Sequence, residues 1–120
     1  MKHLKKIREF NRVRKQRKAL MKTMLGSLIM REKISTTEAK AKELKKEIDR
    51  VINNAKKMKD NSQKVSAIRH LKKSIPQMAI KKLSGDFIEK LASRFSGYTR
   101  VIKTGPRKSD NASMAIIEFV

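Results

Sequence analysis

Apolar side chains recur at helical spacing over most of the chain and change to a strand-like pattern only near its end. Leu20, Met24 and Leu28 form one row at i, i+4, i+8, and Met21, Leu25 and Ile29 form the adjoining row. Two adjoining rows make a broad stripe, which predicts a first amphipathic helix from near Arg12 to about Arg31. Gly26 lies inside it, slightly unfavourable in a helix relative to Ala but permissive of close packing. Lys33-Ile34-Ser35-Thr36 is a short extended candidate. Ser35 and Glu38 then have the spacing of a capping box, with Thr36 or Thr37 as the alternative N-cap of a second helix. On that helix Ala41, Leu44, Ile48, Ile52 and Ala55 line one face, with Val51 beside them. Lys42, Glu43, Lys45, Lys46, Glu47 and Asp49 occupy the other, which reads as solvated.

Lys59-Asp60-Asn61-Ser62 is a turn. A shorter helix follows, with Val65, Ile68 and Leu71 inward and Lys64, Arg69, Lys72 and Lys73 outward. Ser74-Ile75-Pro76 breaks it, and Pro76 suits the first turn of another helix that Met78, Ala79, Ile80 and Leu83 continue. After a break at Ser84-Gly85-Asp86, the residues Phe87, Ile88, Leu91, Ala92 and Phe95 form a last helical stripe. The segment Tyr98–Lys103 is then rich in β-formers, Gly105–Asn111 is a loop, and Met114–Val120 is a second strand. The two strands should pair as an antiparallel hairpin, which needs helices over one face to be stable. The segment at Ile34 offers a third strand. The expected fold is α+β: several helices packed on a small mixed sheet, with a C-terminal antiparallel hairpin and a basic N-terminal extension. Residues 1–18 form a basic arm leading into the first helix, and residues 19–120 a single domain.

Charge changes this picture most. Among 120 residues, Lys and Arg number 32 against 11 Asp and Glu, a formal net charge of +21. Such a charge repels itself in a free compact protein, and a polyanion removes that repulsion. Phosphate neutralisation also releases condensed counterions, which drives binding without reading sequence. Residues 1–33 hold 12 basic and 2 acidic side chains, and residues 61–83 hold 6 basic and none acidic. A basic block like the arm repels itself in water and orders on RNA. Leu4, Ile7 and Phe10 alone are spaced for an apolar face in it, too narrow a face for a membrane-surface helix.

Residues that carry chemistry are sparse. There is no Cys, which excludes disulfides, Cys-based zinc sites and a Cys nucleophile. His3 and His70 are far apart, and neither has metal-ligand spacing with another candidate. Each is either a phosphate or base contact or a plain surface histidine. The four Gly are scattered, without a P-loop or dinucleotide pattern. No enzyme constellation and no cofactor site is expected. The strand aromatics of an RRM and the Gly-x-x-Gly loop of a KH module are also missing. With aromatics at 4%, phosphate contacts spread over an RNA surface are the expected mode. The competing readings are a free DNA-binding regulator, for which no recognition helix or dimer seam stands out, and a membrane-surface protein held by its arm.

Three stretches go further. Ser35-Thr36-Thr37 with Lys40-Ala41-Lys42-Glu43-Leu44 resembles a signature of the seventeenth protein of the bacterial large ribosomal subunit. Ala92-Ser93-Arg94 with Gly97-Tyr98-Thr99-Arg100 resembles that family's next signature, and Asp110-Asn111-Ala112 with Met114-Ala115 and Ile117-Glu118 its C-terminal strand. Asn11-Arg12 and Arg17-Lys18-Ala19-Leu20 match in the same order. The resemblance implies an α+β domain docked on large-subunit ribosomal RNA, beside neighbouring large-subunit proteins and near the exit of the nascent-chain tunnel. It implies a structural role in assembly and translation, a cytoplasmic address, no enzymatic activity, no cofactor, no membrane partner and no free homo-oligomer in the working state. Expected RNA contacts from the arm and first helix are Lys2, His3, Lys5, Lys6, Arg8, Asn11, Arg12, Arg14, Lys15, Arg17 and Lys18. A second set comprises Lys72, Lys73, Arg94, Tyr98, Thr99, Arg100, Arg107 and Lys108. Tyr98 either stacks on a base or packs on the sheet. Thr99 and Arg100 point to opposite faces, so only one of them meets RNA. Gly97 serves the turn into the strand.

Overall fold

The computed structural model of the protein describes residues 8–120. Four α-helices, α1 (Arg14–Arg31), α2 (Glu38–Lys56), α3 (Lys64–Ser74) and α4 (Gln77–Leu83), combine with three strands, β1 (Lys33–Thr37), β2 (Thr99–Pro106) and β3 (Ser113–Phe119). Short 3₁₀ helices span Lys57–Lys59 and Asp86–Leu91. The α+β fold is the expected one, and the Ile34 segment does supply the third strand. The sheet order is β1-β3-β2, with the last strand in the middle.

The sheet is antiparallel throughout, not mixed. β1 pairs with β3 from Lys33↔Glu118 to Thr37↔Met114, and β2 pairs with β3 from Thr99↔Phe119 to Pro106↔Ser113. The only same-direction strands are β1 and β2, and β3 separates them, so no parallel ladder forms. β2 runs on to Pro106, past the expected end at Lys103. A bulge between Lys103 and Gly105 absorbs one residue, and Gly105 there has φ 92°, which glycine adopts without strain.

α2 carries the core. Its buried line is the expected one, Ala41, Leu44, Ile48, Val51, Ile52 and Ala55, and it packs on the inward positions Ala115 and Ile117 of β3. The capping box does not form. Ser35 and Thr36 are committed to the β1 ladder, Thr37 is the N-cap, and no side-chain cap hydrogen bond is made. Glu43, expected on the solvated face, is 5% exposed. Its Oε1 lies 2.7 Å from Arg8 Nη1 and 3.3 Å from Lys46 Nζ, so two cations offset the cost of burying it.

α1 packs through Leu25, Gly26, Leu28 and Ile29, while Leu20, Met21 and Met24 are half-buried. It ends at Glu32, whose φ of 66° turns the chain and whose N–H bonds to the Leu28 carbonyl at 2.7 Å. A Cβ built on Gly26 would stand 2.6 Å from Pro76 Cγ. This is the close approach that the glycine permits, where the start of α4 crosses α1.

Two expectations shift. In α3 the inward line is Ala67 and Leu71, with Ile68 half-buried, and Val65 is 61% exposed. Two residues before Ala67, Val65 lies about 200° round the helix from it. The last helical stripe becomes the 3₁₀ helix, which buries Phe87, Ile88 and Leu91 but stops before Phe95. Phe95 is 90% exposed. The chain leaves the core there so that Tyr98 can enter it. Gly97, with φ 64°, makes the turn as expected.

Candidate nucleic-acid interface

The first half of α1 stands clear of the core. Arg14, Lys15 and Lys18 are exposed and Arg17 is half-buried, whereas full burial begins only at Leu25. The first turn holds no acidic residue and no side-chain cap. Four cations therefore crowd the positive end of the helix dipole, an unfavourable placement in the absence of an anion. Arg14 and Lys18 are also like-charged neighbours at i, i+4, as are Lys18 and Lys22. Just before the helix the chain turns through Phe10 and Asn11, at φ 53° and 54°. Arg12 Nη1 donates to the Phe10 carbonyl at 2.8 Å, and Arg17 Nη1 to the Arg12 carbonyl at 3.2 Å. These bonds hold the guanidinium groups in place, and among the described residues neither group pairs with a carboxylate.

The same surface continues onto α3. Lys22 Nζ donates to the Lys72 carbonyl at 3.1 Å, which ties the middle of α1 to the last turn of α3. Lys72 and Lys73 are exposed there, at a helix C-terminus where cations are favoured. Among the described residues, Arg12, Arg14, Lys15, Arg17, Lys18, Lys72 and Lys73 make no ion pair with a carboxylate. That is the arrangement a phosphate backbone requires.

Other expected contacts are already engaged. Arg8 meets Glu43. Arg100 Nε lies 2.8 Å from Glu118, which Lys33 approaches at 3.6 Å from the neighbouring strand. The Arg100 hydrogen bond holds the Glu118 carboxyl below its ordinary value. Arg107 grips Asp110 across the hairpin turn, with Nη2 to Oδ2 at 2.6 Å and Nε to Oδ1 at 3.0 Å. That grip, with the Ala112 N–H, lowers the Asp110 carboxyl to about 2 and raises the Arg107 guanidinium. Arg107 thus organises the turn and presents Lys108, which is exposed, at its tip. Arg94 is exposed, and its side chain donates to the Gly97 carbonyl at 3.4 Å.

Tyr98 and Thr99 do not belong to the surface. Tyr98 is 0% exposed, so of its two readings the packed one holds. Its hydroxyl lies 2.7 Å from Asn53 Oδ1 and 3.0 Å from the Arg94 carbonyl, and accepts from Lys56 Nζ at 2.7 Å. Thr99 is 3% exposed, and its Oγ1 is buried without a partner. The opposite orientation of exposed Arg100 follows from strand alternation. Sequence reasoning missed Asp49, Asn53 and Lys56, which clamp this loop. Their i, i+4, i+7 spacing puts them on one line of α2 and was the available signal.

Lys2, His3, Lys5 and Lys6 lie outside the described residues. His70 is exposed and borders a surface recess with Asn54, Lys57 and Gln63. Among the described residues no group of His, Asp or Glu is arranged to hold a metal ion, and no helix is long and apolar enough to cross a membrane.

Comparison with known proteins gives the family. Residues 20–120 match the family described as Ribosomal protein L17. A protein of Listeria innocua named large ribosomal subunit protein bL17 is 38% identical, over 94% of this chain and 98% of its own length. Proteins of the same name from Shouchella clausii and from Aster yellows witches'-broom phytoplasma are 41% and 44% identical, each over 93% of this chain and 97% of their own. An α+β domain with the basic first half of one helix held clear of its core, matched over nearly its whole length by these relatives, belongs to the ribosomal protein L17 family.

Proposed function

We propose that this protein is a structural, non-enzymatic constituent of the large ribosomal subunit, where it binds and helps organise ribosomal RNA and so supports subunit assembly and translation. The observation that carries the reading is the unpaired basic surface running from the exposed half of α1 to the end of α3. Residues 1–18 act as the RNA-binding arm, and residues 19–120 as the domain that anchors it. Arg12, Arg14, Lys15, Arg17 and Lys18 neutralise phosphates where RNA segments crowd together, and Lys72 and Lys73 extend the contact. Asn11, Lys108 and Arg94 contribute at the margins. Lys2, His3, Lys5 and Lys6 continue the arm into the RNA. Arg8, Arg100 and Arg107 act first on carboxylates of their own chain and contact RNA only with their outer edges.

The working partners are large-subunit ribosomal RNA and neighbouring large-subunit proteins, at a position near the tunnel exit and in the cytoplasm. The protein acts there as a single copy, not as a homo-oligomer, and away from membranes. The test is quantitative mass spectrometry across a sucrose gradient of lysate after a high-salt wash. The protein should sediment with the large subunit in proportion to its other proteins. Recovery at the top of the gradient would refute an integral ribosomal role.

A further inference from the structure

A single exposed apolar side chain is ordinary on a protein surface. Phe95 differs in how its backbone is held. On one side, the Arg94 carbonyl accepts from the Lys56 ammonium and lies 3.0 Å from the Tyr98 hydroxyl. On the other, the Asp49 carboxylate accepts from the N–H groups of Gly97 at 3.3 Å and Tyr98 at 3.4 Å. Both anchors rest on α2 and on a tyrosine that is 0% exposed. The ring, itself 90% exposed, is thus presented from a fixed backbone, and little chain entropy is lost when it makes a contact.

The charges around it narrow the choice of contact. Arg94 is the adjacent residue, and Lys56 sits at the root of the loop with its ammonium 4.6 Å from the Tyr98 ring centroid. Among the described residues neither pairs with a carboxylate, and Asp49 is occupied by the two amides. The other neighbours in the chain, Ser93, Ser96 and Gly97, are small or polar. A protein partner would call for an apolar surround that shuts out water, and these neighbours do not supply one. An exposed aromatic ring with an exposed guanidinium next to it in the chain suits a nucleotide: a π-face for the base, positive charge for a neighbouring phosphate.

We infer that Phe95 is a stacking platform for an unpaired base of RNA, with Arg94 meeting a flanking phosphate. This rests on the reading that the chain binds ribosomal RNA, and adds a contact to single-stranded RNA that phosphate neutralisation alone does not give. Base pairs bury their faces within the duplex, so only a looped-out or terminal base fits.

Large subunits carrying the wild-type chain, irradiated with short-wave ultraviolet light and digested, should yield a peptide with a nucleotide adduct on Phe95. The full-length Phe95→Leu chain should bind a single-stranded RNA oligonucleotide roughly 5- to 100-fold more weakly, while Phe95→Tyr keeps wild-type affinity. The exposed position makes both variants compatible with the fold. Adducts on the arm with none at Phe95 would overturn the stacking contact and leave RNA binding intact. Equal single-strand affinity of Phe95→Leu and wild type would overturn it as well. A chain without any RNA adduct would remove the reading on which the inference stands.

Discussion

Gly26 shows how one missing methyl group sets the distance between two helices. Adding it brings Cβ to 2.6 Å from the Pro76 ring, which has little freedom to withdraw. Helix propensity favours Ala over Gly by about 1 kcal/mol, whereas overpacking costs about 1–3 kcal/mol. Gly26→Ala is therefore expected to lower the melting temperature by several degrees in a thermal scan, against the gain that propensity alone predicts. Tyr98 is the polar counterpart. Tyr98→Phe removes the hydroxyl that Asn53 and Lys56 share, and should cost about 1–2 kcal/mol in denaturant unfolding, with no loss of a direct RNA contact. Asp110 provides a pH handle. Its carboxyl falls from an ordinary 3.8 to about 2 in the folded chain, so the folded state favours the ionised form. Its contribution to stability is present above 3.8 and is lost as pH falls toward about 2. The stability gap between wild type and Asp110→Asn should close over that window, and melts taken across it would show whether it does.

At the scale of elements, α1 divides into a half that holds the domain together and a half that is held out. Charge reversal of Arg12, Arg14 and Arg17 together separates the two roles. Acidic residues at a helix N-terminus complement its dipole, so the free variant should keep or gain helical signal in circular dichroism. Its RNA binding should weaken, and the slope of log affinity against log salt should become shallower. An unchanged slope would show that the arm is not a main contact. The sequence made α2 legible because its apolar positions follow one unbroken helical line. It misplaced Val65 and Phe95, where short segments leave the phase of the helix open and tertiary contacts decide it. The capping box failed for a related reason: Ser35 had a ladder to join as well as a helix to cap. Of the candidate contacts, the arm and α3 cations were readable from charge alone. Which arginines were spent on Glu43 and Glu118 was not, because those carboxylates lie 35 residues away in the chain or on the neighbouring strand, whereas Asp110 lies close to Arg107 in the same turn and was open to a local reading.

At the scale of the molecule, the α+β class was legible from the change of period after Phe95, but the order of the strands was not. Local pattern gives a hairpin between β2 and β3. It does not say that β1, 77 to 85 residues earlier by register, takes the other edge of β3. That central position has a consequence for how the protein is made. A growing chain that has not reached Ser113 already holds β1 and β2, yet neither has a strand to pair with. The basic arm, meanwhile, precedes both of these strands in the chain. The basic segment is therefore made while the sheet is still open, and β3 closes the sheet only after both outer strands have been made. Truncation within β3 would for this reason unpair both outer strands at once, a larger loss than removing either edge.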